Sequence, residues 1–399
     1  MYNSVINFDN GFKETMQHLI IGILLGLTFS MPLKATTFDL ADEQTRVVGH
    51  NLVVLSRMED TLLDIARRFD LGYSEIVSAN PGVDVWLPGA GQRVVVPNRF
   101  ILPDAPRKGI VINLAEMRLY YYPKKEKGRT QQVITHPLGI GREGWKTPLG
   151  STKIIQKKKD PTWTPPASIL AEHLAEGDPL PKVVPAGPDN PLGAFAMRLG
   201  MPGYLLHGTN KPYGVGLRVS HGCIRLFPED IEHLFGKVDL NTTVNIIYQP
   251  YKAASQDGIL YVEAHADQED MDPNVNNMTT MVSAILKEKD QINDEDWLFA
   301  QTAIEQQEGI VKPIDDLEAE VIEGVWFLHA GLAEDSKEKL NQALEDLNAN
   351  ENFWPINGAH GEMLLGPFEN KQQAEKMSDE LSHLMGESVW LTLVASEVL

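Results

Sequence analysis

A chain of 399 residues with a single cysteine, Cys223, cannot close an internal disulfide, so that thiol is either buried and inert or kept for chemistry. Hydrophobic residues make up 43% of it, enough for ordinary cores, and the length suggests two or three domains. The start of the chain points to export. Lys13 precedes an apolar run from Leu19 to Phe29, and Pro32-Leu33-Lys34-Ala35 then ends in a small residue suited to cleavage. Residues 1–35 are therefore expected to be a cleavable secretory signal, with an uncleaved anchor as the alternative. An exposed thiol is a hazard in an oxidising compartment unless it is used. The ordinary alternative for Cys223 is a small buried core residue.

Charge is unevenly spread over the net −20. Residues 251–399 hold 31 acidic residues against eight lysines and no arginine, a net of −23, whereas the first 250 hold 27 basic and 24 acidic residues. Without a basic patch to neutralise phosphates, nucleic acid is excluded as a partner.

Residues 44–97 carry a helical pattern at Leu62, Ile65, Ala66 and Phe69 behind an Asp60-Thr61 cap, then apolar Tyr73, Ile76 and Val77. A turn at Asn80-Pro81-Gly82 and the β-branched run Arg93 to Val96 follow, so the implied order is strand, helix, helix, strand. Residues 108–250 read as a mainly β domain, with runs such as Gly109 to Asn113 and Met117 to Tyr122. Within it, Pro161 to Gly193 is rich in proline and reads as a long ordered loop over one face. Residues 251–320 are acidic and low in aromatics, and are expected to form a partly disordered linker with one short helix around Met281 to Leu286. From 321 to 397 a weak repeat gives two strand-helix units, hence a four-stranded sheet backed by two helices.

The chemistry concentrates in His207-Gly208-Thr209-Asn210 and in Ser220-His221-Gly222-Cys223-Ile224-Arg225. A thiol attacks carbonyls as thiolate and needs a base or cation to lower a resting pKa of about 8.5. His207 and His221 are candidate bases. Gly222 lets backbone amides approach a substrate oxygen, as an oxyanion site requires, and Arg225 suits a carboxylate. Taken singly, each has an ordinary structural reading. Together, within nineteen positions of the sole thiol, they meet the needs of a nucleophile, a base and an oxyanion site. His207, His221 and Cys223 alone fall short of a metal site, since no carboxylate stands beside them in sequence.

This constellation resembles the catalytic motif of the L,D-transpeptidases, in which a His precedes a Ser-His-Gly-Cys stretch with Arg two residues beyond. Further matching stretches are Pro137 to Gly141, Pro161 to Pro165, Val184 to Pro191 and Leu217 to Ser220. The resemblance implies a mainly β, sandwich-like catalytic domain of the YkuD type. It also implies Cys223 as acyl acceptor, His207 as its base, the Gly208 carbonyl as the group orienting His207, and Arg225 as binder of a stem-peptide carboxylate. Ser220, His221 and Gly222 would shape the oxyanion pocket with the Cys223 amide. No metal or other cofactor is implied. Residues 44–97 resemble a LysM module, chiefly in Asp60-Thr61-Leu62, Asn80-Pro81-Gly82 and Gly91-Gln92, and residues 321–397 resemble a βαββαβ SPOR domain in Leu365-Gly366-Pro367-Phe368. The expected setting is the periplasm and the expected partner is peptidoglycan, with a second stem or an outer-membrane lipoprotein as acceptor. Transfer, hydrolysis on the same site, and a non-catalytic wall-binding scaffold are the readings in competition.

Overall fold

The computed structural model describes residues 36–399 apart from 126, 268–271, 273–274, 276, 315–323, 331–338, 341, 345, 348–355, 358–362, 369–370, 387–388 and 396–399. The expected signal segment, 1–35, lies outside the described residues. Among those described, no helix is long and apolar enough to cross a membrane.

Nine strands form the central sheet, in the order 36–40, 131–137, 118–122, 109–113, 243–247, 150–159, 195–199, 205–207 and 224–225. Its central strands, Gly109–Asn113 and Arg118–Tyr122, are buried at every position, because each face of the sheet meets a different core. Ile110, Ile112, Leu119, Tyr121 and Ile134 point into one cluster, which also takes Ile154, Met197, Leu206, Ile224 and Val244 from the other half of the sheet. Strands at both ends of one sheet reach a common core only if the sheet curls. The two layers of the expected sandwich-like arrangement are thus two halves of a single curled sheet.

By the alternation of a strand, Val111, Tyr120, Tyr122 and Val133 face the other way, onto Leu62, Ile65, Ala66, Phe69 and Ile76. Those are the apolar positions that mark the helices of residues 44–97, and their burial partner is the catalytic sheet. The order in that unit is Leu52–Leu55, the helices Leu62–Arg68 and Tyr73–Ser78, then Arg93–Val96. Thr61 caps the first helix, accepting from the Asp64 amide while Asp64 accepts from the Thr61 amide. Asn80 fixes the following turn, donating to Ile76 and Val95 carbonyls and accepting from the Val95 amide. The junction is pinned by fully buried Arg118, which donates to both Glu75 carboxylate oxygens at 2.7 and 3.1 Å and to the Asp70 carbonyl at 2.7 Å. Thr36–Leu40, to which the sequence assigns no structure, adds an edge strand beside Gln131–Pro137.

Where a linker is expected, at 251–320, the described residues as far as Ile314 form a folded unit. The hairpin Tyr251–Gln256 and Ile259–Ala264 carries the helices Asn277–Leu286 and Asp294–Gln306 around Leu260, Val262, Met281, Ile285, Phe299 and Ile304. The acidity that reads as disorder has a local role. Asp294, Glu295 and Asp296 fill the first turn of their helix, where its dipole favours negative charge, and Asn293 with Asp296 closes a capping box.

At the C-terminal end the strands 356–357, 363–368, 324–330 and 389–395 form the expected four-stranded sheet, and the helix Lys371–Met385 packs on it together with Leu340, Ala343 and Leu344. Its last strand also pairs antiparallel with Leu52–Leu55, with Thr392 opposite Val54 and Val394 opposite Leu52. The two end modules therefore share one six-stranded sheet.

Candidate active site

Strands Leu205–His207 and Ile224–Arg225 run parallel, with Leu206 opposite Ile224 and His207 opposite Arg225. Leu206 and Ile224 are fully buried in the central core. Alternation then sends His207, Arg225 and Cys223 to the opposite face, side by side across the strand pair.

The turn before Cys223 is set by glycine. Gly222 has φ +98°, and a Cβ there would lie 3.0 Å from the Tyr204 ring, so a side chain would strain the backbone and have to push that ring back. Gly141 comes as close from the other side: its Cβ would sit 2.9 Å from the Gly222 Cα. The Gly139-Ile140-Gly141 run can therefore brace the loop on both flanks. The Gly139 and Arg225 amides each donate to the other's carbonyl at 2.9 Å, and the Arg142 amide donates to the Ser220 carbonyl at 2.9 Å. Ser220 Oγ accepts from the Gly222 amide at 3.2 Å and donates to the Cys223 carbonyl at 2.5 Å. Thr147 Oγ1 donates to the Gly222 carbonyl at 2.9 Å.

The half-buried Cys223 sulfur faces the Gly203 carbonyl at 3.6 Å. Burial pushes the thiol pKa up, opposed by the Leu205 amide and the Arg225 charge. His207, 4% exposed, has its imidazole pulled down to about 4 by burial and by Arg225, against the opposing pull of the Gly208 carbonyl. Thiol and imidazole are accordingly both neutral at pH 7. His207 Nδ1 lies 2.6 Å from the Gly208 carbonyl oxygen. A carbonyl only accepts, so Nδ1 bears the proton and Nε2 the lone pair. The Arg225 Nε is buried without a hydrogen-bond partner among the described residues.

Cys223, His207, Gly208, Ser220, Gly222 and Arg225 thus gather in one place. The Gly222 amide, however, is engaged by Ser220, which leaves the Cys223 amide as the backbone donor of the expected pair. His221 turns to a partner that the sequence does not reveal. Its Nε2 is 2.8 Å from Glu172 Oε2, its ring lies edge-on to Trp145 at 4.8 Å, and Arg142 donates to the other Glu172 oxygen. Glu172 stands on the helix Ala167–Ala175, inside the stretch expected to be loop. No local signal announces it, because the contact spans 49 residues.

The YkuD family of L,D-transpeptidase catalytic domains matches residues 107–246. The Escherichia coli K12 protein named probable L,D-transpeptidase YbiS is 48% identical over 241 residues, 59% of this chain and 77% of that one. The chain belongs to the L,D-transpeptidases. A second relative of this L,D-transpeptidase, probable L,D-transpeptidase YcfS of the same strain, is 45% identical over 60% of this chain and 75% of its own. Among solved structures, the catalytic domain of the Enterococcus faecium L,D-transpeptidase is 22% identical, covers 36% of this chain and 100% of that one, and has a TM-score of 0.26.

Proposed function

We propose that this L,D-transpeptidase acts in the periplasm on peptidoglycan tetrapeptide stems, through a thioester on Cys223. The supporting observation is that neutral His207, its Nε2 lone pair free of the Nδ1 contact to Gly208, lies on the strand paired with the one that Cys223 leads into. As the sulfur attacks the diaminopimelate carbonyl of the amide bond to D-alanine, His207 Nε2 takes its proton and delivers it to the departing D-alanine amine as that C–N bond breaks. The Cys223 amide faces the developing oxyanion. Arg225, the cation whose charge acts on the thiol, holds a stem carboxylate. The acyl group then passes to an amine, either a second stem or a lipoprotein lysine. No metal or other cofactor enters this chemistry. Residues 44–97 and 321–397 serve as LysM-like and SPOR-like holds on the wall. At the tip of the first, Trp86 is 60% exposed beside exposed Leu87, both backbone amides being tied to Asp84, which suits a sugar-stacking surface.

Sacculi incubated with the protein, digested and analysed by mass spectrometry are expected to lose terminal alanine from tetrapeptide stems and to gain crosslinks, or lipoprotein stubs when that acceptor is present. Stems unchanged after prolonged incubation would refute the proposal.

The buried imidazole also fixes a pH dependence. A base whose pKa is depressed to about 4 stays unprotonated through the range in which an ordinary histidine, near 6.5, would be lost. The acid limb of kcat/KM is therefore expected near pH 4. A limb near 6.5 in the measured pH profile would mean that His207 is not the titrating base.

A further inference from the structure

The segment from Pro161 to Gly193 is pinned firmly at its base. Asn190, fully buried, donates to the Pro161 and Pro185 carbonyls at 2.8 and 3.0 Å and accepts from the Leu192 amide at 2.9 Å, and Trp163 and Val184 exchange backbone hydrogen bonds at 2.9 and 2.8 Å. Further out, the helix Ala167–Ala175 is held far more lightly. Ile169 is its one buried residue, and Leu174 stands 68% exposed. Its polar attachment is Glu172, whose two oxygens reach Arg142 and His221. Those two side chains frame the nucleophile loop, His221 two residues before Cys223 and Arg142 bonded through its amide to Ser220. Arg142 and His221 hold the Glu172 carboxyl down, to about 2, so it remains a carboxylate at any pH at which the enzyme works. All three side chains keep some exposure, 40% for Arg142, 26% for Glu172 and 22% for His221, so the link can open as well as close.

A helix with a rigid base and one carboxylate clasp beside the thiol is suited to cover an intermediate rather than to build the site. We infer that Glu172 is a positioning residue that clasps the 161–193 segment over the Cys223 acyl-enzyme and thereby sets how the acyl group divides between amine and water. This rests on the reading of Cys223 as acyl carrier. Both fates begin at the same thioester. In transfer, the acceptor nitrogen forms a bond to the carbonyl carbon, the C–S bond breaks, and the proton lost by nitrogen returns through His207 Nε2 to the sulfur. In hydrolysis, water forms the C–O bond, the same C–S bond breaks, the proton lost by water returns through His207 Nε2 to the sulfur, and a free acid leaves. A closed segment excludes bulk water while a bound acceptor stays in place, so the clasp weighs on the ratio of the two products.

The test uses the full chain with a tetrapeptide stem and an amine acceptor at fixed concentration, and measures hydrolysed and transferred product by mass spectrometry. Glu172→Gln is expected to raise the hydrolysed-to-transferred ratio about fivefold, the change in closed population that loss of a strong partly exposed ion pair brings. Arg142→Met, which removes the other half of the clasp, is expected to move the ratio the same way. The ratio counts only acyl-enzyme that has formed, so a poorly folded fraction does not enter it. Both products falling together at an unchanged ratio would mean that Glu172 only supports the fold, and would overturn the inference. Absence of a thioester on the wild type would overturn the Cys223 reading and this one with it, whereas a thioester with an unchanged ratio in both variants overturns this one alone.

Discussion

Replacing Cys223 by serine is expected to lower product formation at least about a thousandfold while leaving thermal unfolding where it was. The site is poorly suited to generating an alkoxide. Burial already pushes the thiol upward, and a hydroxyl, whose ordinary pKa lies far higher, meets the same penalty. His207, held near 4, is too weak a base to make good the difference. The substitution changes one half-buried atom and none of the Ser220, Gly222 and Thr147 hydrogen bonds that shape the loop, so stability has little reason to change. Stem-peptide turnover followed by mass spectrometry, beside a melting curve, separates the two effects. Turnover within tenfold of wild type would remove Cys223 from the mechanism.

The second large effect is expected far from the thiol. Lys252 is buried between two carboxylates, its Nζ 2.8 Å from Glu116 and 3.0 Å from Glu263, and it also donates to the Ile101 carbonyl at 2.7 Å. Tyr120 and Asn113 donate to Glu116, and the Ile101 amide donates to Glu263. Burial raises the Glu116 carboxyl. Glu263, although burial acts on it in the same sense, is held at about 2 by Lys252 and His265. Lys252→Met strips the cation from this buried set and is expected to cost about 3–5 kcal/mol, as breaking a buried pair from one side does. Adding Glu116→Gln and Glu263→Gln should recover much of the loss, because the stranded charges go with the cation. Equilibrium urea unfolding of the single and triple variants checks both statements. A loss below about 1 kcal/mol in the single variant would show that the network does not join the 251–264 hairpin to the catalytic sheet.

What the sequence makes legible is what repeats locally. Leu62, Ile65, Ala66 and Phe69 announce a helix by their spacing, and the glycines around Cys223 announce close backbone approach. Their partners are another matter. Spacing shows that the Leu62–Arg68 helix has an apolar face, but not that Tyr120 and Val133 of a distant sheet will cover it. The five residues of Thr36–Leu40 are too few to carry a pattern, and they become a strand only because Gln131–Pro137 offers an open edge. Residues 251–320 mislead for a different reason. The sparse apolar set Met281, Ile285, Phe299 and Ile304 suffices for a small core, while Asp294, Glu295 and Asp296 fill the first turn of a helix and Glu263 pairs with buried Lys252, so composition outweighs a periodicity that is present. In the site, the residues clustered around the thiol could be found from their chemistry. Glu172 could not, because a carboxylate in a proline-rich stretch looks like any solvated charge until the fold brings it to His221.

The pairing of Thr392–Val394 with Leu52–Val54 bears on the order of events as the chain acquires its structure. Strand Leu52–Leu55 gains one neighbour, Arg93–Val96, within some forty residues of synthesis, but its other neighbour follows more than three hundred residues later. Until that strand arrives, one edge of Leu52-Val53-Val54-Leu55 remains an open template for any extended segment nearby, which is the hazard that native edges are built to avoid. Closure across more than three hundred residues is a slow, non-local step. Refolding from denaturant is accordingly set up to run in two phases, a faster one for the catalytic sheet and a slower one in which these two distant strands find each other.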